Sequence, residues 1–405
     1  MISISINPKG QKGREIIMEA MQFMKMIEDK SFADLSKMQY KYSKAEVKEM
    51  LEVLRSSRYN LCPLKDFKGK QVVYLEGLTK ISPKYAKILL TYQSEKGSYG
   101  NSAMEEEIFN SMDIENIDTS RDSIRKILAG YAPKDVAEER IYGMKKGIEF
   151  ISDYSNKITE ENLHKLYQLS IGDYLDLDAK LPAGKLYRDD SVYVVGGTKT
   201  HEGLDAKLIP KYMENLIDFI NVESDIDDLA KAAIVHFYMA YIHPYFDGNG
   251  RTARLLQLWY LVQRGYTGTM FLSLSSHVRK SRNQYYKAYS LIEENQRISG
   301  VIDVTPFVLY FAENVYANLS AGLPAQYTMD EFYNALARGE ITQKEHDLWN
   351  FVLSTYGKSE FSTKQLEKDY GKAAYATIRT FVQKLQGLGL LSCHNYSNRP
   401  RYRIG

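Results

Sequence analysis

The chain is poor in cysteine and has no long apolar run. Only Cys62 and Cys393 are present among 405 residues, too few for a disulfide framework, and they lack the spacing of a zinc site. No stretch of 18 residues is both apolar and uncharged, and the N-terminus lacks the basic-then-apolar pattern of a signal peptide. We therefore expect a cytoplasmic protein that makes no membrane contact.

A strong excess of charge of one sign is also missing. The 53 basic and 51 acidic residues leave a net charge of +2, which argues against a chain that binds polyanions along its whole length. The contents of 44% hydrophobic and 26% charged residues are those of an ordinary globular protein. The length allows two or three domains, and the periodicity of the apolar residues predicts a mainly α fold.

Residues 243–254, His-Pro-Tyr-Phe-Asp-Gly-Asn-Gly-Arg-Thr-Ala-Arg, concentrate groups that are suited to phosphate chemistry. An imidazole has an ordinary pKa near ~6.5, so His243 can act as a general base close to neutral pH. Asp247 is a hard oxygen ligand of the kind that Mg²⁺ takes when it also holds substrate phosphates. These two residues predict a base and a metal ligand on one loop.

The same string continues with a glycine-rich turn and two arginines. Gly248 and Gly250 can adopt positive φ, so that the backbone N–H groups around Asn249 form an anion-binding nest. Apolar residues at helical spacing follow, which places the nest at a helix N-terminus, where an anion is favoured. Arg251 and Arg254 share a face of that helix and can clamp phosphates.

The string resembles the Fic family motif, His-x-Phe-x-(Asp/Glu)-Gly-Asn-Gly-Arg-x-x-Arg. The resemblance implies a Fic-type helical core that transfers AMP from ATP, with Mg²⁺, to a Ser, Thr or Tyr hydroxyl of a target protein, with pyrophosphate leaving. Tyr245 stands where the family usually has Phe, a ring that anchors the loop in the core. Kinase-like relatives carry Lys at the second glycine, so Gly250 favours nucleotidyl transfer.

A β-hairpin is expected upstream of the motif. Residues Tyr187–Gly197 contain a β-branched run around an Asp-Asp-Ser turn. In the family, a hairpin at this place is a flap that pairs with an extended segment of the target, because a strand edge offers unpaired N–H and C=O groups to any peptide. The resemblance therefore implies target docking by Val192, Tyr193, Val194 and Val195. The alternative is a surface hairpin without that role.

The helices on either side of the motif contain further candidates. A helix from about Asp227 to Tyr241 leads into the motif, and we interpret His236 on it as a packed core histidine. Tyr285 and Tyr286 resemble the family segment that stacks near adenine, although helical tyrosines also serve as packing residues. Glu293 replaces an Asn of the family, which leaves the selectivity for the base open.

Residues Ser111-Met-Asp-Ile-Glu-Asn116 fit the family's inhibitory pattern, (Ser/Thr)-x-x-x-Glu-(Gly/Asn). In such relatives the glutamate, here Glu115, pairs with the second arginine, here Arg254. A clamp that is already filled cannot grip the terminal phosphate, so the resemblance implies self-inhibition. The competing glutamates at positions 105–107 lack a following Gly or Asn, and we interpret them as a solvated helix face.

The last eighty residues form a separate pattern. Helices are predicted at Thr342–Tyr356, Lys364–Tyr370 and Ala373–Leu388, followed by two β-prone pieces in Leu390–Gly405, an order that resembles a winged helix-turn-helix. Eight basic and two acidic residues give residues 361–405 a net charge of +6. Duplex DNA binding by residues 360–405 is the leading interpretation. Protein docking and a purely scaffolding role stay open.

We thus predict an N-terminal helical region at residues 1–95, a Fic core at 96–325 and a winged-helix module at 326–405. The predicted function is AMP transfer to a protein, inhibited by Glu115. Two alternatives are removal of AMP, with Glu115 positioning water, and a DNA-binding regulator whose transferase core is silent. The identity of the target, the operator and any homo-oligomeric state are open from the sequence.

Overall fold

The computed structural model describes residues 18–79, 81–91, 100–196, 199–322, 326–356, 360–396 and 399–404. The first elements are α1 (Ala20–Ile27), α2 (Leu35–Lys41), α3 (Lys44–Ser57), β1 (Asn60–Lys65), β2 (Gln71–Tyr74), α4 (Glu76–Thr79) and α5 (Pro83–Thr91). They are followed by α6 (Asn101–Ile114), α7 (Arg121–Leu128), α8 (Val136–Ser152), α9 (Glu160–Ser170), β3 (Tyr193–Gly196), β4 (Lys199–Glu202), α10 (Ile209–Asn221) and α11 (Asp228–Ile242). The remainder comprises α12 (Asn249–Gln263), α13 (Leu274–Lys280), α14 (Arg282–Ser299), α15 (Thr305–Tyr310), α16 (Gln326–Ala337), α17 (Gln343–Tyr356), α18 (Thr363–Tyr370), α19 (Tyr375–Gly387), β5 (Leu391–Tyr396) and β6 (Arg399–Ile404). The predicted mainly α fold is confirmed.

The chain divides into two compact units, each discontinuous in sequence. The first comprises Met1–Ile81, Leu181–Asn249 and Ser281–Glu313, and the second comprises Ser82–Lys180, Gly250–Lys280 and Asn314–Gly405. The boundaries expected at 95/96 and 325/326 stay predictions.

Helix α11 is the central helix of the first unit. Residues from Leu229 to Met239 are all buried, including Lys231, whose Nζ donates to the Val222 carbonyl at 2.7 Å. The helix begins at Asp227, whose carboxylate accepts from two first-turn N–H groups. The antiparallel pair β1–β2 joins this unit, since the Tyr238 hydroxyl donates to the Lys65 carbonyl at 2.7 Å. A helix so completely buried gives its C-terminal end a fixed position.

The expected hairpin forms, but the predicted position of its turn is wrong. Strand β3 pairs antiparallel with β4, Tyr193 opposite Glu202 and Gly196 opposite Lys199. Strand β3 ends at Gly196 and β4 begins at Lys199, so the Asp-Asp-Ser segment precedes the hairpin and is not its turn. Residues 197–198 lie outside the described residues. Of the docking candidates, Tyr193, Val194 and Val195 lie on β3, and Val192 directly precedes it. The β-branched run leads into one strand, β3, and the residues Tyr187 and Arg188 before it are buried and belong to no strand.

In the second unit, α6 packs against α7, α8, α13 and α17. A hydrophobic cluster joins α16–α19 and the hairpin β5–β6, with Trp349, Phe361 and Phe381 at most 1% exposed. Phe361 also exchanges two backbone hydrogen bonds with Tyr402 on β6. Gly371 ends α18 in the left-handed region, at φ 64°. The predicted order of three helices and a hairpin is present, while the winged-helix assignment itself stays a prediction.

Among the residues that the structure describes, no helix is both long and apolar enough to cross a membrane.

Candidate functional site

The loop between α11 and α12 begins with His243 in a left-handed backbone conformation. Its φ and ψ are 54° and 59°, and it caps the C-terminus of α11. Pro244 follows and has no N–H with which to continue the helix. The half-buried imidazole is bonded through Nδ1 to the Ala240 carbonyl at 3.3 Å. If Nδ1 carries the proton in this bond, Nε2 is the nitrogen with a lone pair, as a general base requires.

Two buried side chains fix the middle of the loop. The ring of Tyr245 is fully buried, as expected for the anchor residue, and its centroid lies 6.3 Å from that of Tyr187. The Asn249 side chain bonds twice to the Tyr245 backbone, accepting from its N–H at 3.0 Å and donating to its carbonyl at 2.8 Å. Asn249 therefore closes the loop on itself, a role that the sequence did not indicate.

Asp247 and Gly248 form the last turn before α12. Gly248 has a φ of 83°, so the prediction of a positive φ is confirmed there. The Gly248 N–H donates to Asp247 Oδ1 at 2.5 Å. Asp247 itself is exposed. Within the described residues no group of three or more His, Cys, Asp or Glu side chains could hold a metal. One exposed carboxylate fits Mg²⁺ that is shared with substrate phosphates and water.

Gly250 has a different physical role from the expected one. It lies in the first turn of α12 and is not among the residues with positive φ. Instead, a Cβ atom at this position would lie 3.0 Å from Cδ of Glu115 and closer still to its Oε1. Glycine is needed here because the carboxylate approaches the helix N-terminus so closely. An anion thus already occupies the place where the sequence predicted an anion site.

Arg254 binds the end of α6 with all three parts of its guanidinium group. Nε donates to Ser111 Oγ at 2.9 Å, Nη2 to the Ser111 carbonyl at 2.9 Å, and Nη1 to Glu115 Oε1 at 2.8 Å. The Arg254 side chain is 3% exposed and that of Glu115 31%. Arg251 is also buried. The predicted partner of Arg254 is therefore correct, and Ser111 shares the task.

The end of α6 is capped by a Schellman motif. Asn116 has a φ of 56°, its N–H donates to the Asp113 carbonyl, and the Ile117 N–H donates to the Met112 carbonyl, both at 3.0 Å. This geometry requires a residue that tolerates positive φ, which Gly and Asn do best. All three fixed positions of the inhibitory pattern therefore have a physical reason.

The interpretation of residues 105–107 as a solvated helix face is wrong for Glu107. This side chain is 1% exposed, and its carboxylate accepts from Ser273 Oγ at 2.8 Å, from the Ser275 N–H at 3.1 Å and from the Ser275 hydroxyl. Burial raises the pKa of Glu107, although these bonds oppose the shift. Glu105 instead forms ion pairs with Arg121 and Arg125. Glu107 ties α6 to the segment that leads into α13.

The two candidate tyrosines of α14 differ in burial. Tyr285 is 3% exposed, and its hydroxyl lies 2.9 Å from His236 Nε2. His236 also packs against the rings of Phe307 and Phe311, so its interpretation as a core residue is confirmed. Tyr285 belongs to this buried cluster, which leaves Tyr286, half-buried, as the candidate for contact with a base.

Arg188 is a residue of the site that sequence reasoning missed. It is 2% exposed and lies four residues before the predicted flap in the sequence. Its Nε donates to the His243 carbonyl at 2.8 Å, and its backbone N–H donates to the Pro244 carbonyl at 3.0 Å. Arg188 is identified as part of the site by its burial, which no local sequence pattern indicates.

Comparisons with known proteins agree with the motif. Residues 157–261 match the model of the Fic/DOC family. The curated protein adenylyltransferase Fic of Drosophila willistoni is 28% identical over 191 residues, which cover 44% of this chain and 35% of that protein. Protein adenylyltransferase fic-1 of Caenorhabditis elegans is 27% identical over 192 residues, 45% of this chain and 34% of that protein. The chain thus spans about a third of the length of these relatives.

Solved structures with similarity to this chain include a Fic family protein from Desulfovibrio desulfuricans G20. It is 20% identical, with a TM-score of 0.46, over 75% of this chain and 86% of that one. Another is Fic-1 of C. elegans, 22% identical with a TM-score of 0.43, over 59% of this chain and 68% of that one. The motif with its loop geometry and the family match over the same residues lead to one conclusion. Residues 157–261, which contain the motif, are similar to the Fic/DOC domain.

Proposed function

We propose that this protein transfers AMP from ATP to a hydroxyl of a target protein, and that Glu115 holds it in an inhibited state. The observation that carries the proposal is the carboxylate of Glu115 at Arg254 and at the N-terminus of α12. A helix N-terminus and a buried guanidinium together form a strong anion site. In the inhibited state this site holds the protein's own carboxylate instead of a phosphate.

In the proposed reaction, His243 accepts the proton of a Ser, Thr or Tyr hydroxyl. The hydroxyl oxygen then forms a bond to the α-phosphorus of ATP, the bond from that phosphorus to the bridging oxygen breaks, and pyrophosphate leaves. Arg251, Arg254 and the first N–H groups of α12 stabilise the charge on the phosphates. Mg²⁺, held by Asp247 when bound, would neutralise part of the same charge.

The flap and the base contact complete the proposal. Strand β3 offers a backbone edge to an extended segment of the target, which gives binding with little dependence on side chains. Tyr286 is the proposed contact for the adenine ring, with Tyr285 packed behind it. We place the reaction in the cytoplasm, where the two thiols remain reduced.

Incubation with α-labelled ATP and Mg²⁺ tests the proposal. The Glu115→Gly variant should incorporate AMP into itself far faster than the parent chain, because Arg254 becomes available to the terminal phosphate. Glu105→Gln is the matched control, since it removes a paired carboxylate from the same helix and should leave the rate unchanged. Adding His243→Ala to Glu115→Gly should lower incorporation by about 10²–10⁴-fold, the usual effect of losing a positioned base.

Each alternative predicts another result. If Glu115 positions water for removal of AMP, the parent chain releases AMP from labelled protein and the Glu115→Gly variant does not. If the core is silent, no variant incorporates AMP. Equal labelling of the parent and the Glu115→Gly variant would contradict the proposed brake.

We further propose that the C-terminal module, residues 326–405, binds duplex DNA. The observation that favours this function is the exposed face of α19: Tyr375, Thr377, Arg379 and Gln383 are all exposed, while Ile378 and Phe381 are buried. Side chains on such a face can reach a groove. Arg399, Arg401 and Arg403 alternate along β6, where residues two apart share one face and can line phosphates.

Fluorescence anisotropy of the full chain with random-sequence duplex, at low and moderate salt, tests this second function. Replacing Arg399, Arg401 and Arg403 with Ala should weaken binding to all sequences alike. It should also flatten the log–log salt dependence by about 0.9 for each lost phosphate contact. Arg379→Ala should reduce sequence preference instead. Absence of binding at low salt would contradict the proposal and favour protein docking.

A further inference from the structure

Arg188 connects three backbone segments of the first unit with one buried guanidinium group. Nε donates to the His243 carbonyl at 2.8 Å, Nη1 to the Asp190 carbonyl at 2.6 Å, and Nη2 to the Leu204 carbonyl at 2.6 Å. Asp190 precedes the hairpin β3–β4 and Leu204 follows it. One side chain therefore bonds to both ends of the hairpin and to the residue proposed as the base.

The surroundings of Arg188 are built closely around it. A Cβ atom on Gly203 would lie 3.1 Å from Arg188 Nη2 and 2.9 Å from Cγ2 of Val192. The Gly203 N–H donates to the Val192 carbonyl at 2.9 Å, which extends the pairing of the hairpin by one step. Asp190 and Asp205 oppose the effect of burial, which lowers the pKa of Arg188. A buried guanidinium group needs hydrogen-bond acceptors for its donors, and the three backbone carbonyl groups provide them.

The bond to His243 acts on a strained part of the backbone. Left-handed φ and ψ are unfavourable for a residue with a Cβ atom, and they persist only where neighbouring groups hold them. The Arg188 side chain holds the carbonyl of His243, and its backbone N–H holds the next carbonyl, that of Pro244. Two consecutive peptide groups after the strained residue are thus fixed by a single residue outside the loop.

We propose that Arg188 is a positioning residue, which holds the imidazole of His243 and the root of the flap in one fixed relation. This inference rests on the proposed AMP transfer. A target strand that pairs with the flap then presents its hydroxyl at a set distance from the base. We assign Arg188 no contact with ATP, because all three of its guanidinium nitrogens are bonded to backbone carbonyl groups.

The test uses the full chain with the Glu115→Gly substitution, α-labelled ATP and Mg²⁺. Displacing a reacting group by about 1 Å can lower a rate by about 10²-fold, so Arg188→Met should reduce the labelling rate at saturating ATP by that order. Arg188→Lys keeps the charge but replaces three directed donors with one ammonium group. It should retain part of the activity, with a loss of about tenfold.

The dissociation constant of α,β-methylene-ATP with Mg²⁺ provides the second measurement. It should stay within about twofold of the parent value in both variants, because the anchors of the phosphates are intact. Arg55→Met is the matched control, since Arg55 also donates to a backbone carbonyl of this unit, that of Ser299. This control should change neither the labelling rate nor the dissociation constant.

Hydrogen exchange over residues 240–249 separates the inference from the proposed function. Exchange should increase in both Arg188 variants and stay unchanged in Arg55→Met. If the Glu115→Gly parent incorporates no AMP, the proposed function fails, and faster exchange still supports the positioning role. Unchanged exchange together with an unchanged labelling rate in Arg188→Lys would overturn the inference, even if Arg188→Met fails to fold.

Discussion

Substitution of Asn116 by alanine should weaken the brake without touching any group that binds phosphate. Asn116 is the left-handed residue of the cap that ends α6, with a φ of 56°. Alanine retains the N–H that donates to the Asp113 carbonyl, but its Cβ atom makes the left-handed region unfavourable. The capping turn, which holds Glu115 against Arg254, should therefore open more often.

The size of the effect follows from the backbone. The left-handed conformation costs an L-residue about 1–2 kcal/mol, and asparagine avoids part of that cost, so the change to alanine destabilises the cap by about 1 kcal/mol. This strain is relieved when the turn opens and Glu115 leaves Arg254. A difference of about 1 kcal/mol corresponds to about fivefold in an equilibrium constant. We expect labelling to rise by about that factor.

The assay is the initial rate of AMP incorporation from α-labelled ATP, with Glu115→Gly as the upper limit. Asn116→Gly is the matched control, because glycine adopts positive φ without steric cost. Both variants lose the same amide side chain, so the comparison between them isolates the backbone term. Circular dichroism confirms that each variant is folded. The reasoning is refuted if Asn116→Ala labels at the parent rate, or if the alanine and glycine variants label equally.

Two further predictions concern other buried groups. Ser111→Ala removes the oxygen that accepts a hydrogen bond from Arg254 Nε in the inhibited state. Loss of the acceptor of a buried donor destabilises that state by about 1–3 kcal/mol. Labelling should rise several-fold, whereas Ser111→Thr keeps the oxygen and the parent rate; equal rates in the two variants would contradict this. Burial raises the pKa of Asp303 from 3.8 to about 6 in the folded protein. The protonated carboxyl group therefore stabilises the fold fully below pH 3.8, and this contribution is lost as the pH rises through about 6. The melting temperature should fall over that interval, and Asp303→Asn should remove this part of the fall; an equal fall in the variant would assign it to other groups.

The local parts of the site could be predicted from the sequence. A base, a carboxylate, a glycine turn and two arginines are adjacent along the chain, so their proximity needs no knowledge of the tertiary fold. The inhibitory pattern is also local, since Ser111 and Glu115 lie one helical turn apart and share a face of α6. That this face meets Arg254 was implied by family resemblance and not by spacing.

The parts that depend on burial could not be predicted. Glu107 and Glu105 lie close together on one helix, yet Glu107 is buried against two serines and Glu105 pairs with two arginines of α7. Their sequence context is nearly the same, and only the packing of α6 against α13 separates them. Arg188 is missed for the same reason, because its acceptors are carbonyl groups, which every residue has. The turn of the hairpin was misplaced because a polar Asp-Asp-Ser segment resembles a turn even where it leads into a strand.

Glu115 is part of the same chain as the proposed ATP site, and this covalent link determines how the proposed brake competes with ATP. A carboxylate on the same chain stays at a fixed effective concentration, so the protein's own concentration does not change the competition. When only the released state binds productively, the apparent affinity for ATP is reduced by the fraction of molecules in that state. The cap at Asn116, the Ser111 contact and the Glu115 ion pair all act on this one fraction. Their substitutions should therefore multiply in the labelling rate only until most molecules are released, beyond which no further gain is available.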